Sequence, residues 1–135
     1  MERFRPDSLL DWLLRPFLMA DPTSFMYVEM MAPDLRFAWV AMFSVALILL
    51  RTDGLHAAHS DKPRVSVVLL LGVVFYLWAF VSGNGRYFLT GLLLIGALLV
   101  LAIQSLPVTQ SMRWTLLLLA ALTHSVLLID FFNVD

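Results

Sequence analysis

Residues 87–112 carry no charged side chain. A helix at the surface of a soluble domain needs a polar face opposite its apolar stripe. The run 86–106 offers almost none, and about twenty apolar residues suffice to cross a bilayer. Three more apolar runs share the chain, at roughly 34–50, 65–81 and 112–132. In hydrocarbon every backbone N–H and C=O must be satisfied internally, so such runs must be helices or a closed barrel. Their lengths suit helices. The expected fold is therefore all-α: an integral membrane protein with four transmembrane helices, preceded by one or two short interfacial helices.

Composition agrees. Of the 135 residues, 61% are hydrophobic and 14% charged, with a mean hydropathy of +0.86. Soluble domains run nearer half apolar and a quarter charged. The charges cluster between the apolar runs. A net charge of −1 leaves no basic patch for nucleic acid. The absence of cysteine excludes disulfides, thiolate metal sites and cysteine nucleophiles.

Two parts follow, an N-terminal segment 1–33 and a four-helix domain 34–135. Arg3 and Arg5 precede an apolar stretch, but Asp11 and Arg15 interrupt it, so no cleaved signal is expected. Residues 7–19 suit a short helix lying in the membrane interface. Ser8 with Asp11 makes a capping box, and Asp11 can pair with Arg15 at i, i+4. Asp21 and Pro22 start a second short or re-entrant helix that Pro33 ends.

The turn between the second and third runs is the most specific local feature. It holds Ser82, Gly83, Asn84, Gly85, Arg86 and Tyr87. Two glycines beside Asn84 suit a reversal, because glycine tolerates positive φ. A helix start presents free N–H groups and the positive end of its dipole. Arg86 adds a planar fork suited to phosphate. The turn is either a plain hairpin with Arg86 snorkelling and Tyr87 in an aromatic belt, or a cradle for a lipid or lipid-linked phosphate.

Residues 78–94, WAFVSGNGRYFLTGLLL, resemble the Arg-Tyr helix starts of polytopic GT-C-type membrane glycosyltransferases and related envelope-polysaccharide proteins. Arg86 and Tyr87 carry the resemblance, while Thr90 stands where proline is usual. It implies a part or partner of a cell-envelope glycosyltransferase-like system. Asp53 and Asp61 in the loop 51–64 do not make the acidic pair of such enzymes, so this chain alone is expected to be non-catalytic.

His124 is the second candidate, near the middle of the fourth run and flanked by Thr123. An ionisable residue at that depth is a functional hypothesis. It can contact haem or a quinone or relay a proton, or remain neutral and bonded to Gln104 or Tyr76. No cofactor is otherwise expected. His56, His59 and Asp61 have a zinc-like spacing but an incomplete ligand set. Glu29, Asp34 and Arg36 form a charged cluster before the first run.

Packing faces are expected along Gly72, Tyr76, Ala79 and Gly83, along Thr90, Ala97 and Gln104, and along Ala120, Thr123, Leu127 and Asp130. Trp12, Trp39, Trp78, Tyr87 and Trp114 fall near span ends, as an aromatic belt requires. Arg3, Arg5, Arg15, Arg36 and Arg86 would lie on one side, and Arg51, Lys62, Arg64 and Arg113 on the other. That narrow excess places the N-terminus in the cytoplasm. The expected location is a bacterial inner membrane, and the expected partners are lipids with other transmembrane subunits or a second copy. A respiratory or photosynthetic accessory subunit is the alternative, and a small transporter the third reading.

Overall fold

The structure is a computed structural model, and it describes residues 6–21, 33–52, 62–81 and 89–132. These residues form five α-helices and no strand: α1 (Leu9–Leu18), α2 (Arg36–Thr52), α3 (Lys62–Val81), α4 (Leu89–Gln104) and α5 (Gln110–Phe132). Each apolar run of the sequence becomes one helix. The proposed re-entrant piece at 21–33 lies largely outside the described residues.

α2 and α4 form the centre and run parallel. α3 packs on both, and so does α5. Phe37 near the start of α2 joins Phe75, Ile95 and Leu98 in one cluster. Farther along, Phe43 and Leu47 join Val68, Leu99, Ala102, Ile103 and Ala120 in another. Climbing α2 therefore means descending α3 and α5, an up-and-down arrangement. Phe37 and Phe75 meet at 5.3 Å between ring centroids. Ala102 and Ile103 are fully buried, so α4 sits closest to the centre.

The exterior inverts the usual order. Large apolar side chains stand exposed on every helix, among them Ile48, Leu70, Phe80, Leu93, Leu122 and Ile129. Ala120 is the one buried residue within α5. Among the described residues α5 is the one helix long and apolar enough to cross a membrane. At 1.5 Å per residue it spans about 35 Å, against about 30 Å of hydrocarbon. α2, α3 and α4 contribute shorter apolar stretches.

The expected packing faces need correction. On α3 the buried stripe is Val68, Phe75 and Ala79. Gly72 has nothing within 4 Å of where a Cβ would stand, so it permits no close approach. On α4 large aliphatics make the contact, and Ala97 is exposed. Large aliphatics share the contacts with alanines, among them the expected Ala79 and also Ala102, rather than with glycine. On α5 the expected stripe holds better, from buried Ala120 through half-buried Thr123 and Leu127, before Asp130 emerges into the open.

The helix ends follow local chemistry. Ser8 caps α1, its Oγ accepting from the Asp11 N–H at 3.1 Å. The reciprocal half of a capping box is replaced: the Asp11 carboxylate accepts from the Asp7 N–H at 3.0 Å. Asp11 and Arg15 do pair, at 4.0 Å. At the α4–α5 turn the cap is Thr109, whose Oγ1 accepts from the Met112 N–H at 3.4 Å, rather than Ser111. Arg113 closes that turn by donating to the Leu106 carbonyl at 3.0 Å.

Candidate functional site

Polar groups gather at the end of the bundle where α2 begins and α1 docks. Asp34 lies just before α2 and is buried. Its backbone N–H donates to the Met19 carbonyl at 2.9 Å, tying the end of α1 to the start of α2. Its carboxylate accepts the Arg36 N–H at 3.0 Å and grips the Arg36 guanidinium twice, Nε at 2.9 Å and Nη2 at 2.7 Å. A carboxylate at a helix N-terminus meets the positive end of the dipole, and the two-point geometry makes this a strong pair.

One turn farther on, the Trp39 Nε1–H donates to Thr123 Oγ1 at 3.1 Å. The Thr123 hydroxyl donates in turn to backbone carbonyls of its own helix, Leu119 at 2.9 Å and Ala120 at 3.1 Å. Trp39 stacks on Phe43 at 5.4 Å. This indole–hydroxyl bond is a polar link between α2 and α5, whose apolar contact is slight.

His124 follows Thr123 directly. Its Nδ1 is buried without a hydrogen-bond partner. An imidazole nitrogen so placed can accept or hold a proton, or bond a polar group brought to it. Neither expected partner reaches it. Tyr76 donates its hydroxyl to the Leu13 carbonyl at 3.2 Å. Gln104 ends α4 beside the start of α5, whereas His124 stands fourteen residues along α5, about 21 Å away along the axis.

A second polar cluster fixes α1. Trp12 Nε1–H donates to the Tyr76 carbonyl at 3.1 Å, and Tyr76 reciprocates to Leu13. The two rings meet edge-on at 5.1 Å, with Phe80 beside Trp12 at 6.5 Å. Met19 inserts into the cluster of Phe37, Phe75, Ile95 and Leu98. Arg15 is 2% exposed. Burial pushes its guanidinium below the usual arginine range, and the carboxylates of Asp11 and Asp7 oppose that shift.

Trp12, Trp39 and Trp78 therefore collect at one end, while Trp114 stands exposed at the start of α5. The turn residues Ser82, Gly83, Asn84, Gly85, Arg86 and Tyr87 lie outside the described residues, as do His56, His59 and Asp61. Among the described residues no group of three or more acidic or histidine side chains could hold a metal ion.

Of the charged cluster expected before α2, Asp34 and Arg36 meet as their spacing suggests, while Glu29 lies outside the described residues. The Trp39–Thr123 and Trp12–Tyr76 bonds were not legible in the sequence. Both join residues more than sixty positions apart, and no local spacing announces such a contact. Comparison with known protein families, with curated proteins and with solved structures finds no match to this chain.

Proposed function

We propose that this chain is a lipid-embedded, non-catalytic module in which α2, α3, α4 and α5 cross the membrane and α1 lies at one interface. It acts by helix packing and by contacts with lipid or lipid-linked phosphate headgroups. The observation that carries this reading is the exterior: every helix turns large apolar side chains outward. The Asp34–Arg36 pair, in contrast, gathers where α2 begins. Exposed apolar surface on this scale is unstable in water and ordinary in lipid. α2 has 17 residues and α3 has 20, within the range of tilted or thinly flanked spans. α4 has 16, and the expected span starts farther back, at 86.

In this arrangement the end of α3 stands at the same membrane side as α1 and the start of α2. The sequence that follows it, with Arg86 and two glycines, is the proposed headgroup contact. The Arg-Tyr resemblance at 78–94 supports a place beside a cell-envelope glycosyltransferase-like system in a bacterial inner membrane, and the narrow excess of basic residues on its side supports a cytoplasmic N-terminus. Single cysteines at Ser60 and Asn84 test the topology. They should react with an impermeant reagent from opposite faces of sealed vesicles, and labelling of both from one face contradicts four spans.

The buried, unpartnered Nδ1 of His124 favours a second reading, an accessory subunit that holds a quinone or haem edge between α2 and α5. Its test is the purified chain: a bound haem spectrum or extractable quinone that His124→Leu removes without loss of insertion supports it.

A further inference from the structure

α1 is amphipathic, but it is turned the opposite way from a surface helix of a soluble protein. Trp12 and Arg15 point toward the bundle, and Trp12 is bonded there. Arg15 is sealed from solvent. The opposite face carries Leu9, Leu10, Leu13, Leu14 and Phe17, all exposed, with Leu9 at 71% and Leu10 at 66%. At ten residues the helix is about 15 Å long, too short to cross a bilayer. It sits on the last turns of α3, where Leu77, Phe80 and Val81 are also exposed. The apolar surface of α1 thus continues that of α3.

Interfacial helices commonly combine an apolar face with cationic side chains that seek anionic lipid. α1 lacks the second half of that pairing, since its one cation is turned inward against Asp11. We propose that α1 is a charge-independent leaflet anchor: its Leu9–Leu10–Leu13–Leu14–Phe17 face inserts among the acyl chains of one leaflet, and zwitterionic lipid alone suffices to hold it. The occupant of this face is lipid, because the face is continuous with the lipid-exposed surface of α3 and Trp12 and Tyr76 fix its outward direction. The inference rests on the lipid-embedded reading above.

The chain has no cysteine, so single spin labels can be placed at will. Labels at Leu10 and Leu13, with references at Asp21 and at Leu122 on α5, are introduced in nanodiscs of pure phosphatidylcholine. They are compared in nanodiscs with one third phosphatidylglycerol, with Arg3 and Arg5 replaced by glutamine throughout. Leu10 and Leu13 should be reached by oxygen in preference to an aqueous nickel chelate, at shallower depth than Leu122. That depth should be the same in both lipids, while Asp21 stays aqueous. An aqueous Leu10 beside a lipid-exposed Leu122 overturns the anchor alone. Aqueous behaviour at both positions overturns the membrane reading with it. Insertion that appears only with anionic lipid overturns charge independence. Spin–spin broadening between Leu10 labels in nanodiscs holding two copies assigns the face to a second chain and overturns the lipid occupant.

Discussion

α4 and α5 are neighbours, joined by a five-residue turn at 105–109, and both are apolar. They have opposite fates. α4 buries Ile95, Leu98, Leu99, Ala102 and Ile103 at the centre of the bundle, whereas α5 buries Ala120 alone. Composition already sets them apart in part, since α4 carries no ionisable side chain while α5 carries Arg113, His124 and Asp130. The rest is the company each keeps: α4 is packed by α2 and α3 as well as α5, while α5 leans on its neighbours along one narrow edge. α5 is secured by individual polar bonds, Trp39 to Thr123 and Arg113 to Leu106. One helix is held by shape, the other by a few hydrogen bonds and the solvent around it. In lipid, association depends on such packing and bonds rather than on hydrophobicity.

This contrast sets the order of mutational effects, read as reversible unfolding in detergent or lipid. Ile103→Ala in α4 removes a fully buried side chain and should cost about 2–4 kcal/mol, as cavity-forming substitutions do. A loss below a few tenths would mean that α4 is not the packed centre. Arg113→Met removes the donor to Leu106 and should cost about 1 kcal/mol, the charged-bond range discounted for partial exposure. Crosslinking between α4 and α5 should loosen in parallel. Trp39→Phe keeps the stacking surface and deletes the bond to Thr123, a change of about 0.6 kcal/mol. Thr123→Val should give no further loss on that background, since the two residues form one bond. Leu122→Ala on the open side of α5 should stay within about 0.5 kcal/mol of the parent. A loss at Leu122 as large as at Ile103 would reveal a protein partner covering α5.

The helices were legible because hydropathy acts locally. The runs 34–50, 65–81 and 112–132 reappear as α2, α3 and α5 shifted by two or three residues at their ends, where assignments ordinarily differ. Ser8, Asp11 and Arg15 behaved as their spacing requires, apart from the Asp11 carboxylate reaching Asp7. Which face of each helix turns inward was less legible. Of the faces expected on α3 and α4, Ala79 is buried, whereas Gly72 meets open space and Ala97 is exposed. Large aliphatics fill neighbouring contacts, and a nearly uniform apolar helix offers no pattern to choose among its faces. α1 shows the same limit in reverse: its polar stripe was visible, yet only the docking of Trp12 on Tyr76 reveals that the stripe turns toward protein. His124 was identified by its depth in an apolar run. That its Nδ1 is buried without a partner depends on how the helices pack, so its setting required the fold.

The central claim is that four helices, and not α5 alone, meet lipid. One spin label per helix tests it most directly, at Ile48, Leu70, Leu93 and Leu122, each exposed on its own helix. In nanodiscs all four should favour oxygen over the aqueous nickel chelate, forming a continuous lipid-facing belt. If Leu122 alone does so, while Ile48, Leu70 and Leu93 are as accessible to the chelate as Asp21, α5 is a lone span and the four-helix membrane module is contradicted.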